Sequence, residues 1–120
     1  MKSIVLVFFL NAVSFSQTPI TDANFNQAIE TCLSSNPIDG MCSNSEYGAM
    51  PDWDVSSVTD MSYAFQDRQY FNADISSWNV SSVIYFQWMF YRANTGDSTG
   101  GTSFNQSIGD WDTSSAIDMG

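Results

Sequence analysis

The sequence has no histidine, and its 120 residues carry only three basic side chains, Lys2, Arg68 and Arg92. Without histidine, the chain cannot form the Ser–His or Cys–His pairs that activate a nucleophile. It also lacks a glycine-rich phosphate loop. Thirteen acidic residues give a net charge of −10, and such a chain repels nucleic acid and anionic lipid. The sequence therefore predicts no nucleic-acid partner, no cofactor and no enzyme of these classes.

Cysteine is equally scarce, since Cys32 and Cys42 are the only two. An even pair ten residues apart in an exported chain predicts one disulfide, and buried free thiols are the alternative. Zinc is poorly supported, because there is no histidine and no second cysteine pair. The D-W-D triplets at 52–54 and 110–112 allow a calcium hypothesis. However, no calcium-loop motif is present, so solvated or turn-capping aspartates are the simpler interpretation and no metal is predicted.

Long apolar runs are also missing, apart from residues 4–10 near the N-terminus. This run follows Lys2 and precedes the small residues Ser14 and Ser16, a pattern typical of a signal peptide at residues 1–16. A buried strand or short helix is the alternative. The run is too short to cross a bilayer comfortably, and no second run of spanning length follows. We therefore expect a secreted or cell-surface, extracellular protein with no membrane span in this chain after signal removal.

One stretch recurs three times, and it dominates the sequence. Residues 53–61 read W-D-V-S-S-V-T-D-M, and they return at 78–83 and 111–119 after intervals of 25 and 33 residues. The eight additional residues fall between Phe90 and Phe104, where turn-forming residues near 94–102 predict an inserted loop. A period in the twenties with insertions at one place indicates a solenoid.

The apolar spacing within a unit is that of a leucine-rich repeat. In the second unit, Ile75, Trp78, Val80 and Val83 stand where leucines usually do. Trp78 and Val80 have period two, which predicts a short strand with both side chains on one face. The four-residue spacings of Met61 to Phe65 and Phe86 to Phe90 predict one or two helical turns after each strand.

The W-D-V-S-S-V-T-D-M-S-x-x-F core and the following F-N-x-D-I-S-x-W resemble the repeats of BspA-like surface proteins, the DUF285 group. The matching residues are 53–65, 71–90 and 104–119, so the resemblance covers roughly residues 47–119. It implies a leucine-rich-repeat-like solenoid in a secreted or surface-attached protein, often associated with adhesion. The chain departs from the pattern at residues 84–86 and in the insertion.

Residues 21–33 predict an amphipathic helix with Thr21 as N-cap and Asp22 in the first turn. Its apolar side would consist of Phe25, Ala28, Ile29, Cys32 and Leu33. Because a repeat array needs an atypical unit to cover its first coil, this helix is the predicted cap.

The predicted fold is therefore α/β, a short right-handed leucine-rich-repeat-like solenoid with an N-terminal capping helix. The signal peptide would occupy residues 1–16, and the capping helix with its disulfide loop residues 17–46. About two and a half repeats would fill residues 47–120, with the third unit truncated at the C-terminus.

Solenoids bind partners through laterally repeated surfaces. The positions between the core residues of the three strands are therefore the predicted binding residues: Asp54, Ser56, Asn79, Ser81, Asp112 and Ser114. In the alternative, these side chains only solubilise the sheet and form hydrogen bonds between coils. Asn79 and Asn105 also begin N-x-S sequons and are possible N-glycosylation sites. Most aromatic residues fall in repeat phase and are expected in the core, with Trp88 and Tyr91 partly buried under the inserted loop.

The predicted function is a non-enzymatic interaction or adhesion module for an extracellular protein or glycan. One alternative is a secreted glycan hydrolase that uses paired carboxylates. The repeated positions of its candidates, Asp54, Asp60, Asp112 and Asp118, favour a structural role instead. Another alternative is a truncated gene fragment without independent function.

Overall fold

The computed structural model describes residues 17–93 and 106–119. The predicted signal peptide and the predicted insertion near 94–102 lie outside the described residues.

Helix α1 spans Phe25–Ser35 and buries the apolar face that the sequence predicts: Phe25, Ala28, Ile29, Cys32 and Leu33. The predicted start at Thr21 was wrong, because the N-cap is Asn24, whose side chain makes no capping bond. Thr21 instead shapes a turn before the helix. Its Oγ1 accepts a hydrogen bond from the Ala23 N–H at 3.2 Å, and its own N–H donates to Asn24 Oδ1 at 2.9 Å. Asp22 consequently lies outside the first helical turn, where the sequence had placed it.

The C-terminus of α1 is tied to the next segment by the predicted disulfide. Cys32 and Cys42 are bonded, with their Cα atoms 5.3 Å apart. Between them the chain turns at Gly40, whose carbonyl accepts the Met50 N–H at 2.8 Å. Gly40 has φ +65, and an added Cβ would lie only 2.9 Å from Met50 Cβ, so both conformation and space require glycine here. A 3₁₀ turn follows at Met50–Asp52.

The predicted face alternation of the repeats is confirmed, but the predicted strands are reduced to isolated pairs. Trp78 and Val80 are buried while Asn79 between them is exposed. In the part of the chain that the structure describes, parallel pairing is limited to three single bridges: Thr21 with Ser57, Asp60 with Tyr85, and Tyr85 with Asp118. A tight turn explains this, because the Val83 N–H donates to the Val80 carbonyl at 3.0 Å and bends the chain after the buried pair.

Main-chain hydrogen bonds join residues that are 24 positions apart in the first two units. The N–H groups of alternate residues donate to carbonyls of the second unit at 2.8–3.0 Å, in the pairs Met61 to Tyr85, Tyr63 to Gln87, Phe65 to Met89 and Asp67 to Tyr91. These bonds thus run one residue short of the 25-residue interval read from the sequence, which the bridge of Asp60 with Tyr85 matches.

The predicted helical turns after each strand are successive tight turns instead. The N–H of Ala64 donates to the Met61 carbonyl, and that of Gln66 to the Tyr63 carbonyl, both three residues back. Tyr63 and Asp67 have left-handed backbones, with φ 63 and 61, and a left-handed residue interrupts an α-helix. Their equivalents 25 residues later, Trp88 and Arg92, share this conformation, with φ 60 and 56.

The buried residues form one continuous hydrophobic cluster that α1 shares with the repeats. Its aromatic members stack across the repeat interval: Trp53 on Trp78 with ring centroids 5.9 Å apart, and Phe65 on Phe90 at 5.8 Å. Phe25 of α1 packs edge-on against Trp78 at 6.0 Å. The helix therefore covers the same core that the repeats build, as a cap would. The solenoid itself stays a prediction.

Candidate functional site

The six predicted binding residues form three local pairs. Asp54 Oδ1 accepts hydrogen bonds from both the N–H and the hydroxyl of Ser56, at 3.0 and 2.6 Å. Asn79 accepts the same two bonds from Ser81, at 3.1 and 2.7 Å. In the third unit, Asp112 Oδ1 accepts the Ser114 N–H at 3.0 Å. Each pair thus holds a turn of its own unit; the sequence suggested turn capping for Asp54 and Asp112 but did not predict the serine partners.

Two further pairs of this kind show a sequence signal that could have been found. Asp60 binds Ser62, and Asp74 binds Ser76, through the same N–H and hydroxyl contacts. All five pairs read Asp or Asn, one residue, then serine. Hydrogen bonds from the serine hydroxyl, and to a smaller extent from the serine N–H, lower the pKa of the carboxyls of Asp54, Asp74 and Asp112. These carboxylates are therefore held ionised, and Asn79 shows that the turn does not require the charge.

Asp22 replaces a main-chain carbonyl at the start of the repeat contacts. In the second unit, the N–H groups of Ile84 and Tyr85 both donate to the Thr59 carbonyl, at 2.7 and 3.3 Å. In the first unit, the corresponding N–H groups of Thr59 and Asp60 both donate to Asp22 Oδ1, at 2.8 and 3.3 Å. The Thr59 hydroxyl adds a bond of 2.6 Å to Asp22 Oδ2. In the first unit, the Asp22 carboxylate thus accepts the two hydrogen bonds whose equivalents in the second unit go to the main-chain carbonyl of Thr59.

We expect Asp22→Ala to lower the free energy of unfolding by about 1 kcal/mol, because it removes the acceptor of two main-chain N–H groups that water can then only partly replace. Partial burial by itself raises the pKa of Asp22, but the bonds from Thr59 and Asp60 outweigh it and lower that pKa below its ordinary 3.8. A folded-state pKa below the unfolded one stabilises the protein above pH 3.8, and this contribution is lost as the pH falls through the folded-state value.

Asp22→Asn is the matched control, since the amide keeps one acceptor but cannot titrate. In urea titrations, the stability difference between the wild type and Asp22→Asn should shrink as the pH falls from 6 to 3. A difference that stays constant over this range would contradict the assigned role of the carboxylate.

A polar groove of about 610 Å³ lies between α1 and the first two repeat units. It is lined chiefly by Asp22, Asn26, Asp60, Ser62, Tyr63 and Tyr85. Both tyrosines are large side chains left substantially exposed, at 48% and 40% of their surface. The sequence had placed most aromatic residues in the core, so the exposure of these two corrects that expectation. None of the six predicted binding residues lines this groove.

The main-chain donors that the repeat units contribute to the polar groove are already used within the chain. The N–H groups of Thr59 and Asp60 bind Asp22, and that of Ser62 binds Asp60. Those of Tyr63 and Tyr85 donate to carbonyls of the neighbouring unit. A ligand in this groove must therefore be recognised mainly by side chains.

A second, apolar groove of about 570 Å³ lies between the second and third units. Trp88, Met89, Tyr91, Trp111 and Met119 are among its lining residues. Trp88 and Tyr91 meet edge to face with ring centroids 4.8 Å apart. Both are partly buried, at 45% and 44% exposure, and the loop expected to cover them lies outside the described residues.

The repeat region, which lines most of both grooves, matches a known protein family. The family model described as "Mycoplasma protein of unknown function, DUF285" matches residues 41–120, two thirds of the chain. The chain belongs to the DUF285 family. No curated protein and no solved structure matches it.

The DUF285 region supplies only part of the polar groove. Asp60, Ser62, Tyr63 and Tyr85 lie within the matched residues, whereas Asp22 and Asn26 precede them. The groove of this DUF285 protein is thus completed by α1 and the turn before it.

The two predicted N-glycosylation sites of this DUF285 protein are not tested by the structure. Asn79 is exposed, and its sequon serine Ser81 donates to its side-chain oxygen, while Asn105 lies outside the described residues. Glycosylation stays a prediction.

Among residues 17–93 and 106–119, no group of three or more acidic or cysteine side chains could hold a metal ion. No helix within the same residues is long and apolar enough to cross a membrane.

Proposed function

We propose that this DUF285 protein is a secreted or cell-surface repeat protein of the BspA-like, leucine-rich-repeat type. In this proposal, the repeats form a short right-handed solenoid, and α1 caps its first coil. Parallel bridges at the repeat intervals of 25 and 33 residues and the shared aromatic core support the architecture. The disulfide between Cys32 and Cys42 supports an oxidising, extracellular location, where such bonds persist.

The proposed activity is non-enzymatic binding, in the manner of an adhesion module. The polar groove carries this proposal, because it joins two half-exposed tyrosines with carboxylate, amide and hydroxyl groups in one concave surface. Exposed aromatic side chains of this kind anchor partners, since they supply a large contact area with few rotatable bonds.

The charge state of the carboxylates favours binding over hydrolysis. A glycan hydrolase of the paired-carboxylate kind needs a general acid whose pKa is raised. In the described part of the chain, every carboxyl with a resolved pKa shift is shifted downward, namely Asp22, Asp54, Asp74 and Asp112. Their hydrogen bonds suit them to hold turns and accept ligand hydroxyls.

Export can be tested by expressing the full chain with its own N-terminus in a secreting host. We expect the product in the medium or on the cell surface, with an intact mass that begins at Gln17. A product that keeps Met1 and remains in the cytosol would contradict the proposed location.

Binding can be tested with the fluorescently labelled secreted product on cultured mammalian epithelial cells. We expect saturable binding that weakens about tenfold or more in Tyr85→Ala, because an anchoring aromatic is lost. Tyr70→Ala is the matched control, since Tyr70 is 51% exposed but does not line the polar groove. Binding that does not saturate, or that falls equally in both variants, would argue against the groove as the binding surface.

A further inference from the structure

The polar groove presents two aromatic faces beside unused hydrogen-bonding groups. Tyr63 and Tyr85 supply the rings, and Asn26 and Asp60 supply an amide and a carboxylate. Resting on the binding function proposed above, we infer that the ligand is a neutral saccharide, whose pyranose ring stacks on Tyr85 beside Tyr63 while its hydroxyls bond to Asn26 and Asp60.

The backbone at Tyr63 holds its ring outward. Tyr63 has φ 63, a left-handed conformation that is uncommon for a bulky residue, and its N–H is fixed to the Gln87 carbonyl at 3.0 Å. Tyr85 is held by the main-chain bonds that its N–H and its carbonyl make with Thr59 and Met61. Both rings are therefore presented from anchored backbone. An aromatic face so presented can stack on the apolar C–H face of a sugar ring.

The remaining polar groups match the chemistry of sugar hydroxyls, which both donate and accept hydrogen bonds. Asp60 uses Oδ1 to hold Ser62, and this leaves Oδ2 as an acceptor. The Asn26 amide offers two donors and one acceptor. Within the described residues, neither the Asn26 amide nor the hydroxyls of Tyr63 and Tyr85 bond to another protein group. The groove thus offers both kinds of partner around its two rings.

Charge and main-chain bonding narrow the ligand class further. Asp22 and Asp60 line the groove of a chain with a net charge of −10, so sialylated or sulfated glycans would be repelled. An extended peptide that adds a strand needs main-chain N–H donors. Those of residues 59, 60, 62, 63 and 85 are all occupied within the chain. A neutral saccharide needs neither cationic side chains nor free main-chain donors.

The test is calorimetric titration of the secreted product with neutral di- and trisaccharides of glucose, galactose, mannose and N-acetylglucosamine. We expect saturable binding of at least one of them, weakened about tenfold in Tyr85→Ala and unchanged in Tyr70→Ala. Lactose and 3′-sialyllactose form a matched ligand pair, and where lactose binds, the sialylated sugar should bind about tenfold more weakly. A thermal melt of each variant checks that it is folded.

Saturation-transfer NMR on the wild type provides a measurement that needs no variant. Irradiating the tyrosine ring protons should transfer most strongly to the ring C–H protons of the bound sugar. If no neutral saccharide binds while the cell binding of the preceding section persists, the ligand class is wrong but the binding function stands. If a sugar binds and Tyr85→Ala does not weaken it, or if the sialylated sugar binds more tightly, the inference is also overturned.

Discussion

Replacing Trp78 by alanine should lower the free energy of unfolding by about 3–5 kcal/mol, the cost of a large-to-small change in a packed core. Trp78 is only 3% exposed and lies where α1 meets both repeat units. It stacks on Trp53, meets Phe25 edge-on, and contacts Phe65 at 6.1 Å between ring centroids. Its indole N–H also donates to the buried Met50 carbonyl at 2.9 Å. Alanine would remove all of these interactions at once.

Two other variants separate the causes of this effect. Trp78→Phe keeps an aromatic ring but loses the N–H donor, so it should destabilise the protein less than alanine does. Trp88→Ala removes the same side chain from a position that is 45% exposed, and it should cost about 1 kcal/mol or less. Urea denaturation followed by far-ultraviolet circular dichroism measures all three. Equal losses for Trp78→Ala and Trp88→Ala would contradict the central packing role of Trp78.

Removing the disulfide by the double substitution Cys32→Ala and Cys42→Ala should lower the free energy of unfolding by about 2–3 kcal/mol. The bond closes a ten-residue separation, and an unfolded chain without it gains conformational freedom. The loop that it closes contains Gly40, whose carbonyl binds Met50. The disulfide therefore restrains the connection between α1 and the first repeat.

Reduction of the wild type by a phosphine is the control for this prediction, because it breaks the bond but keeps both sulfur atoms in the buried site. The urea midpoint of the reduced wild type should approach that of the double variant. The double variant itself should not respond to the reductant. A wild-type midpoint that does not move after complete reduction would contradict a stabilising disulfide.

The sequence was most informative where local periodicity decides which face is buried. Val55, Val58, Val80 and Val83 recur in phase, and all four are buried. The apolar face of α1 followed in the same way from its helical spacing. Cysteine count and spacing were sufficient for the disulfide. In each case the information lies within a few residues, so the pattern can be recognised without knowledge of the fold.

The polar groove could not be predicted, because it depends on contacts between distant segments. Asp22 reaches Thr59 across 37 residues, and nothing near Asp22 indicates that partner. Tyr63 and its repeat equivalent Trp88 both have a left-handed backbone, and both rings remain substantially exposed. Of the six polar positions chosen from the sequence, Ser56 and Ser81 are partly buried and the other four are exposed, and their pairing within each unit was not considered.

Asp22 also has a consequence for how copies of this protein meet. Unpaired main-chain donors at the end of a sheet are templates for edge-to-edge aggregation, and natural proteins cover them or place charges there. The Asp22 carboxylate occupies the donors of Thr59 and Asp60 and adds a negative charge beside them. A second molecule approaching this end would meet repulsion instead of free N–H groups. We therefore expect Asp22 to disfavour edge-to-edge association at this end of the repeat contacts.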